Sequence, residues 1–281
     1  MPVEQIAIVG GGGTMGSGIA QVVAAAGFNV TIVEVSEDAI ARGLKRIERG
    51  LEKLGDAGPA ARARISTSTD LEAAGAAADH VIETVIEDFG LKEDVLGRLD
   101  AVCRDEVIFA TNTSQFSISR LAAATGRADR VIGSHWFNPP PVMGLIEVIR
   151  GDETSDATLA ATLALAHAYG KQTVVCKRDT PGFITSRLIA LFMVEAARIV
   201  EEGIADAADV DLACKLAFNH AMGPLTTADL SGVDVLEKVA DNLAATFGDR
   251  FTPPETVRQL VREGHLGRKT GQGFNSYEDA R

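Results

Sequence analysis

The sequence predicts an α/β chain in two parts, a doubly wound parallel sheet over residues 1–180 followed by a smaller all-helical domain over residues 181–281. Three observations carry that prediction. Apolar β-rich runs alternate with helical runs through the first ~180 residues, the pattern of strand–helix–strand units. An apolar run at residues 5–10 empties directly into a glycine-rich turn and then a helix. Beyond Asp179-Thr180-Pro181-Gly182 no convincing strand pattern remains.

The first element is the strand Gln5-Ile6-Ala7-Ile8-Val9-Gly10, which runs into Gly11-Gly12-Gly13-Thr14-Met15-Gly16. In the frame GxGxxG, Gly11 makes the tight turn, Gly13 lets backbone approach a pyrophosphate, and Gly16 packs the helix on the strand. Thr14 and Met15 lie in the turn that leads into that helix, whose free N–H groups face the phosphates. The helix covers residues 17–26 and stops at Gly27. A second strand, 29–35, carries Glu34 near the ~20-residue offset expected of a ribose-binding carboxylate. A carboxylate there repels a 2′-phosphate, and Val35, Ser36 and Glu37 offer no adjacent arginine, so a Rossmann-type domain that prefers NAD over NADP is expected.

Residues 36–54 read as a long charged helix with Ile40, Leu44, Ile47 and Leu51 on one face, followed by a loop holding Gly55, Gly58 and Pro59. Further strands are expected at 80–86, 107–111, 130–136, 145–150 and 172–176. Pro181 suits the first turn of a helix that presents Ile184, Leu188, Leu191, Phe192 and Ile199 until Gly203 stops it. Asp206 can cap the next helix through Leu216, Pro224 starts another region, and residues 264–273 form a glycine-rich tail.

Composition narrows the function classes. The formal net charge of -12 argues against nucleic acid and anionic membrane surfaces as partners. The three cysteines, Cys103, Cys176 and Cys214, are widely spaced and lack a CxxC pair, which fits a reducing cytoplasm and neither a disulfide framework nor a zinc site. No signal peptide is read at the N-terminus. The most apolar helical stretch, 187–200, carries Glu195 and Arg198, which excludes it as a membrane span.

In open α/β sheets ligands bind at the carboxyl ends of the strands. Three segments there carry chemistry: Thr111-Asn112-Thr113-Ser114, Ser134-His135-Trp136-Phe137-Asn138-Pro139, and Leu145-Ile146-Glu147-Val148. An imidazole titrates near neutrality, and a carboxylate embedded in an apolar strand needs a partner, so His135 and Glu147 make a candidate base and orienter. Structural readings stay open: a histidine at a strand end can be a satisfied structural residue, and Asn112, Thr113 and Ser114 can simply close a turn.

Seven ordered motifs make the chain resemble the L-3-hydroxyacyl-CoA dehydrogenase family, the bacterial 3-hydroxybutyryl-CoA type in particular, over essentially its whole length. They are Val9 to Gln21 with its glycine loop, Val85-Ile86-Glu87 with Lys92, Thr111-Asn112-Thr113-Ser114, His135-Trp136-Phe137-Asn138-Pro139-Pro140, Pro181-Gly182-Phe183-Ile184, Gly223-Pro224-Leu225, and Gly267-Arg268-Lys269-Thr270-Gly271-Gln272-Gly273-Phe274. The resemblance implies an NAD-dependent enzyme without a metal, in which His135 is the base, Glu147 its partner, and Ser114 a hydrogen-bonding residue for the reacting oxygen. It also implies that Glu87, Lys92 and Asn112 serve the cofactor, and that the helical domain contributes to substrate binding and pairs with its copy in a homodimer. The Gly267–Phe274 motif reads as a closure of the helical domain, since its residue types suit caps and turns.

The chain departs from the family where an asparagine usually follows the Gly-Phe-Ile segment; here that position is Ser186, whose hydroxyl can still donate one hydrogen bond. Gly144 stands where a lysine is common, and the loop at 54–60 lacks lysines. Three readings therefore stand: a short-chain 3-hydroxyacyl-CoA dehydrogenase, the same hydride chemistry on an acyl-carrier thioester or free hydroxy acid, and a catalytically silent NAD(H)-binding protein.

Overall fold

The structure, a computed structural model, describes residues 3–277. The chain divides between Thr180 and Pro181 into two compact units. The first is built on one eight-stranded sheet among the described residues: β1 Gln5–Val9, β2 Asn29–Val33, β3 Ile65–Ser68, β4 His80–Glu83, β5 Ile108–Thr111, β6 Val131–Trp136, β7 Leu145–Arg150 and β8 Gln172–Cys176, in the spatial order 3-2-1-4-5-6-7-8. β1 is flanked by β2 and β4, so the chain reverses its direction of winding beside β1, and the switch point falls next to the glycine loop.

Central strands are apolar on both faces because helices cover both sides of the sheet. Ile6, Ala7, Ile8 and Val9 in β1 are all buried, as are all four residues of β4, the polar His80 and Glu83 included. One core joins Ile6, Ile8, Ile32, Ile82, Ala110, Ile132 and Val148 to Ile19 and Val23 of the helix Thr14–Ala25.

Two features correct the expected sheet. β7 runs antiparallel to β6, so β7 and β8, parallel to each other, oppose the remaining strands. The cause is the link between β6 and β7: a dozen or more residues are needed to return a chain for parallel pairing, and 137–144 is too short. The second is β3, which sequence reading left unassigned. Its segment Ile65-Ser66-Thr67-Ser68 has one buried apolar side chain and forms an edge strand beside β2, with Thr31 and Ser66 hydroxyls 3.0 Å apart.

The charged helix is Glu37–Leu51, capped by Ser36, whose hydroxyl accepts from the Ala39 N–H at 3.3 Å. It tightens into the 3₁₀ turn Glu52–Ala57, where Gly55 adopts φ 55°.

The second unit contains helices and no strand longer than an isolated bridge among the described residues. Its first helix is Thr185–Glu201, so Pro181 precedes the helix rather than sitting in its first turn; Gly182 and Phe183 take φ 71° and 48°, which interrupts helical geometry before Thr185. Pro224 does occupy the first turn of the helix Pro224–Ser231. That helix lacks a side-chain cap of its own. Asp211, from the preceding helix Ala207–Ala217, accepts from the Leu225 and Thr226 N–H groups at 2.8 and 2.7 Å. Asp229 is 1% exposed and accepts from the Phe274 N–H at 2.8 Å, the Asn275 N–H at 2.9 Å and the Tyr277 hydroxyl at 2.9 Å. The Gly267–Phe274 motif thus wraps a buried carboxylate and closes the helical unit.

Candidate active site

The dinucleotide end of the site is built by β1, β2 and the helix Thr14–Ala25. Gly10 takes φ 78°, so the tight turn is made there, one residue earlier than Gly11. Gly16 is needed for close approach: a Cβ on it would collide with the Gly10 carbonyl oxygen and the Gly11 backbone. Gly13 is the helix N-cap and supplies no side-chain cap, so the N–H groups of the first turn, at Thr14 and Met15, point at the loop mouth. Glu34 follows β2 and its Oε1 accepts from the Gly12 N–H at 2.9 Å. Arg46 donates to the Gly12 carbonyl at 2.8 Å and pins the loop from the helix Glu37–Leu51. A cleft of about 360 Å³ opens here between Gly10, Gly13, Glu34, Thr69, Val85 and Ile86. A loop that only glycine can fill, a helix N-terminus and a carboxylate at the tip of β2 fit the pyrophosphate and ribose of a dinucleotide.

Beyond β4 the geometry is governed by buried charge. Glu83, 0% exposed, accepts from Lys92 Nζ at 2.8 Å, the Thr111 hydroxyl at 2.6 Å and the Val85 N–H at 2.7 Å. Lys92 is itself 1% exposed and also reaches Glu87 at 3.3 Å and the Val85 carbonyl at 3.3 Å. Glu87 in turn accepts from the Thr113 hydroxyl at 2.5 Å and the Ser114 N–H at 3.0 Å. Lys92 therefore lies behind the loop that carries Ser114, clamped between two carboxylates. Of these, Glu83 is the residue that the sequence reading did not single out, while Thr111 and Thr113 belong to the Thr111–Ser114 segment it named.

His135 and Glu147 face each other across the antiparallel β6–β7 ladder. Directly opposed residues share a sheet face, which sets His135 Nδ1 3.0 Å from Glu147 Oε2. Glu147 is 0% exposed and His135 is 8% exposed. The β6 tip is tied to the exit of β5 through Asn112, whose side-chain carbonyl accepts from the Trp136 N–H at 2.8 Å. Lys171, its pKa lowered by burial, donates to the carbonyls of Pro140 at 2.8 Å and Met143 at 2.7 Å and braces the β6–β7 link. The structure thus gathers Ser114, His135, Glu87 and Asn112 at the carboxyl ends of β4, β5 and β6, with Glu147 beside them in the first half of the antiparallel β7. Ser186 belongs to the second unit, in the first turn of Thr185–Glu201.

Residues 5–180 match the 3-hydroxyacyl-CoA dehydrogenase NAD binding domain and residues 182–277 the C-terminal domain of the same proteins. The chain belongs to the 3-hydroxyacyl-CoA dehydrogenase family. A probable 3-hydroxyacyl-CoA dehydrogenase of Caenorhabditis elegans is 42% identical over 98% of this chain and 96% of its own length. A probable 3-hydroxybutyryl-CoA dehydrogenase of Bacillus subtilis is 41% identical over 99% of both chains. The crystal structure of the (S)-3-hydroxybutyryl-CoA dehydrogenase of Ralstonia eutropha superposes with a TM-score of 0.94 at 40% identity, covering 98% of this chain and 99% of that one. This 3-hydroxyacyl-CoA dehydrogenase family member uses NAD, and its first unit is the NAD-binding domain.

The thiols do not compete for the catalytic role: burial pushes Cys103 up to about 11 and raises Cys176 and Cys214 as well. Among the described residues no three His, Cys, Asp or Glu side chains gather as a metal site, and no helix is long and apolar enough to cross a membrane.

Proposed function

We propose that the protein interconverts a short-chain (3S)-3-hydroxyacyl-CoA, such as 3-hydroxybutyryl-CoA, and its 3-oxoacyl-CoA, with His135 as acid–base residue and Glu147 as its partner. The observation that carries this reading is the 3.0 Å contact between His135 and a carboxylate that is 0% exposed. With Nδ1 turned to Glu147, Nε2 is the nitrogen that takes the hydroxyl proton, and Glu147 stabilises the imidazolium that forms. In reduction the same imidazolium returns the proton to the oxygen. Ser114, its backbone fixed by Glu87, hydrogen-bonds the reacting oxygen. When bound, NAD accepts a hydride from the carbinol carbon or, as NADH, returns it. Gly11, Gly13, Thr14, Met15 and Gly16 hold its pyrophosphate and Glu34 a ribose, while Glu87, supported by Lys92, and Asn112 border the nicotinamide side. Ser186 supplies one hydrogen bond to the substrate where the family usually has asparagine.

The names of the bacterial relatives support a short acyl chain and a place in fatty acid metabolism. Three free, buried cysteines support a reducing cytoplasm. The helical unit exposes Leu188, Leu212, Leu216 and Phe218, which supports pairing with a second copy; light scattering at the monomer mass would refute the homodimer.

The deciding experiment measures NADH oxidation with acetoacetyl-CoA, acetoacetyl-pantetheine and acetoacetate at equal concentration. A rate high only with the CoA ester is expected. Equal rates with pantetheine would move the substrate to a carrier protein, and activity with neither thioester, alongside normal NADH binding, would refute the reading. His135→Ala should lower turnover by about 10²- to 10⁴-fold with little change in NADH affinity.

A further inference from the structure

At the amino-terminal ends of β4 and β5, opposite the sheet edge that carries the glycine loop and His135, the first unit holds a second cleft of about 500 Å³. That volume lies within the range of small-molecule sites, roughly 300–1,000 Å³. Phe28, Ile108 and, from the helix Asp156–Ala168, Ala161 and Leu165 give it an apolar wall.

His80, the first residue of β4, lines this cleft; it is 3% exposed and its Nδ1 has no hydrogen-bond partner in the protein. Leaving that atom unpaired costs about 1–3 kcal/mol, and Nδ1 is itself closed to solvent, so a ligand in the cleft meets the ring through its other atoms. Burial pushes the imidazole down to about 4, which keeps it neutral at pH 7 with one N–H to donate and one nitrogen to accept.

The charges at the mouth are unequal in their commitments. Arg104 is taken up by Asp79 at 2.5 Å and the Ala78 carbonyl at 2.9 Å, and Asp79 also accepts from the Glu4 and Gln5 N–H groups. Glu106 turns toward Arg104 at 3.9 Å. Arg130 makes only a 3.4 Å bond to the Glu106 carbonyl and a 4.0 Å ion pair with Asp129, so most of its five donors are uncommitted.

We propose that this cleft is a second, non-catalytic ligand site for a small amphipathic carboxylate, whose hydrocarbon body packs on Phe28, Ile108, Ala161 and Leu165 and whose carboxylate draws on the His80 imidazole and the Arg130 guanidinium. A carboxylate matches the planar guanidinium fork, and an apolar body matches the wall. The site is remote from the hydride chemistry, so its occupancy is read without turnover.

The test titrates the full chain, its histidines labelled with ¹⁵N, with octanoate and separately with octylamine. Octanoate should move the His80 imidazole signals saturably, and octylamine should not. Arg130→Gln should weaken octanoate at least about tenfold, the loss of one charge-assisted hydrogen bond. Ala161→Trp, which fills the cleft, should abolish the response while NADH binding stays unchanged; Arg130→Gln sits at the mouth and keeps the test independent of how the tryptophan variant folds. An unresponsive His80 at millimolar octanoate, an equal response to octylamine, or an unchanged affinity in Arg130→Gln would overturn the proposal.

Discussion

Glu147→Gln isolates the charge that His135 is proposed to use. Glutamine keeps the size of the side chain and an oxygen that accepts from Nδ1, so the packing of β6 on β7 is retained and only the carboxylate charge is lost. At the observed 3.0 Å, a full imidazolium–carboxylate attraction is about 5 kcal/mol at an effective dielectric of about 20. The neutral imidazole of the ground state does not draw on it, and the proton is only partly transferred in the transition state. About half, roughly 2–3 kcal/mol, is therefore lost from transition-state stabilisation, which is about a 30- to 150-fold fall in kcat. The assay is steady-state NAD reduction with (3S)-3-hydroxybutyryl-CoA at saturating NAD, the direction in which His135 starts as the base, with cofactor affinity and melting temperature measured beside it. The fall should appear in kcat with both controls unchanged. A kcat within threefold of the parent protein would refute the electrostatic role of Glu147, and a loss confined to melting temperature would reduce it to a structural one.

Lys92→Met leaves Glu83 as an unpaired carboxylate in a fully buried site, which should destabilise the first unit by about 3–5 kcal/mol and lower its melting temperature by roughly 10 °C; a change below 2 °C would show that the buried pair contributes little. Glu34→Ala removes the carboxylate at the tip of β2 and its bond to Gly12, so NADH should bind about 10- to 100-fold more weakly with kcat at saturation nearly intact; a loss seen only in kcat would contradict the ribose role. Burial pushes the His80 imidazole down to about 4 from its ordinary 6.5. The unfolded chain therefore binds the extra proton first, and stability should fall by about 3 kcal/mol as pH drops from about 6.5 to about 4, then level off. Denaturant unfolding across that interval in His80→Leu should lack this component, and an unchanged slope would refute the assignment.

The sheet was legible where strands are central and opaque where they are not. β1, β4 and β6 are apolar on both faces because helices cover both sides, so their runs stand out against the helical segments between them. β3 needs to bury only Ile65 and pairs through backbone and hydroxyl groups at the edge, so its composition is that of a loop. The reversal of β7 was within reach, since the length of 137–144 alone decides between a crossover and a direct return. The left-handed Gly182 and Phe183, by contrast, delay a helix that the apolar stripe places earlier.

Site legibility follows the same physics, with one rule applied too narrowly. Glu147 stood out because a carboxylate inside an apolar strand must find a partner. Val81-Ile82-Glu83 is the same signal, in the middle of the strand expected at 80–86, and the same rule marks Glu83. The structure makes Glu83 the root of the arrangement: it fixes Lys92, which reaches Glu87, which holds the Ser114 N–H. Asp211 and Asp229 repeat the pattern in the helical unit, where each buried carboxylate collects backbone N–H groups that no helix or ladder satisfies. An acidic residue flanked by apolar neighbours is thus a statement that some distant backbone or cation has to come to it. What sequence leaves open is the identity of that partner, because the pairing distance along the chain, 45 residues from Asp229 to Phe274, is set by how the units fold and not by local pattern.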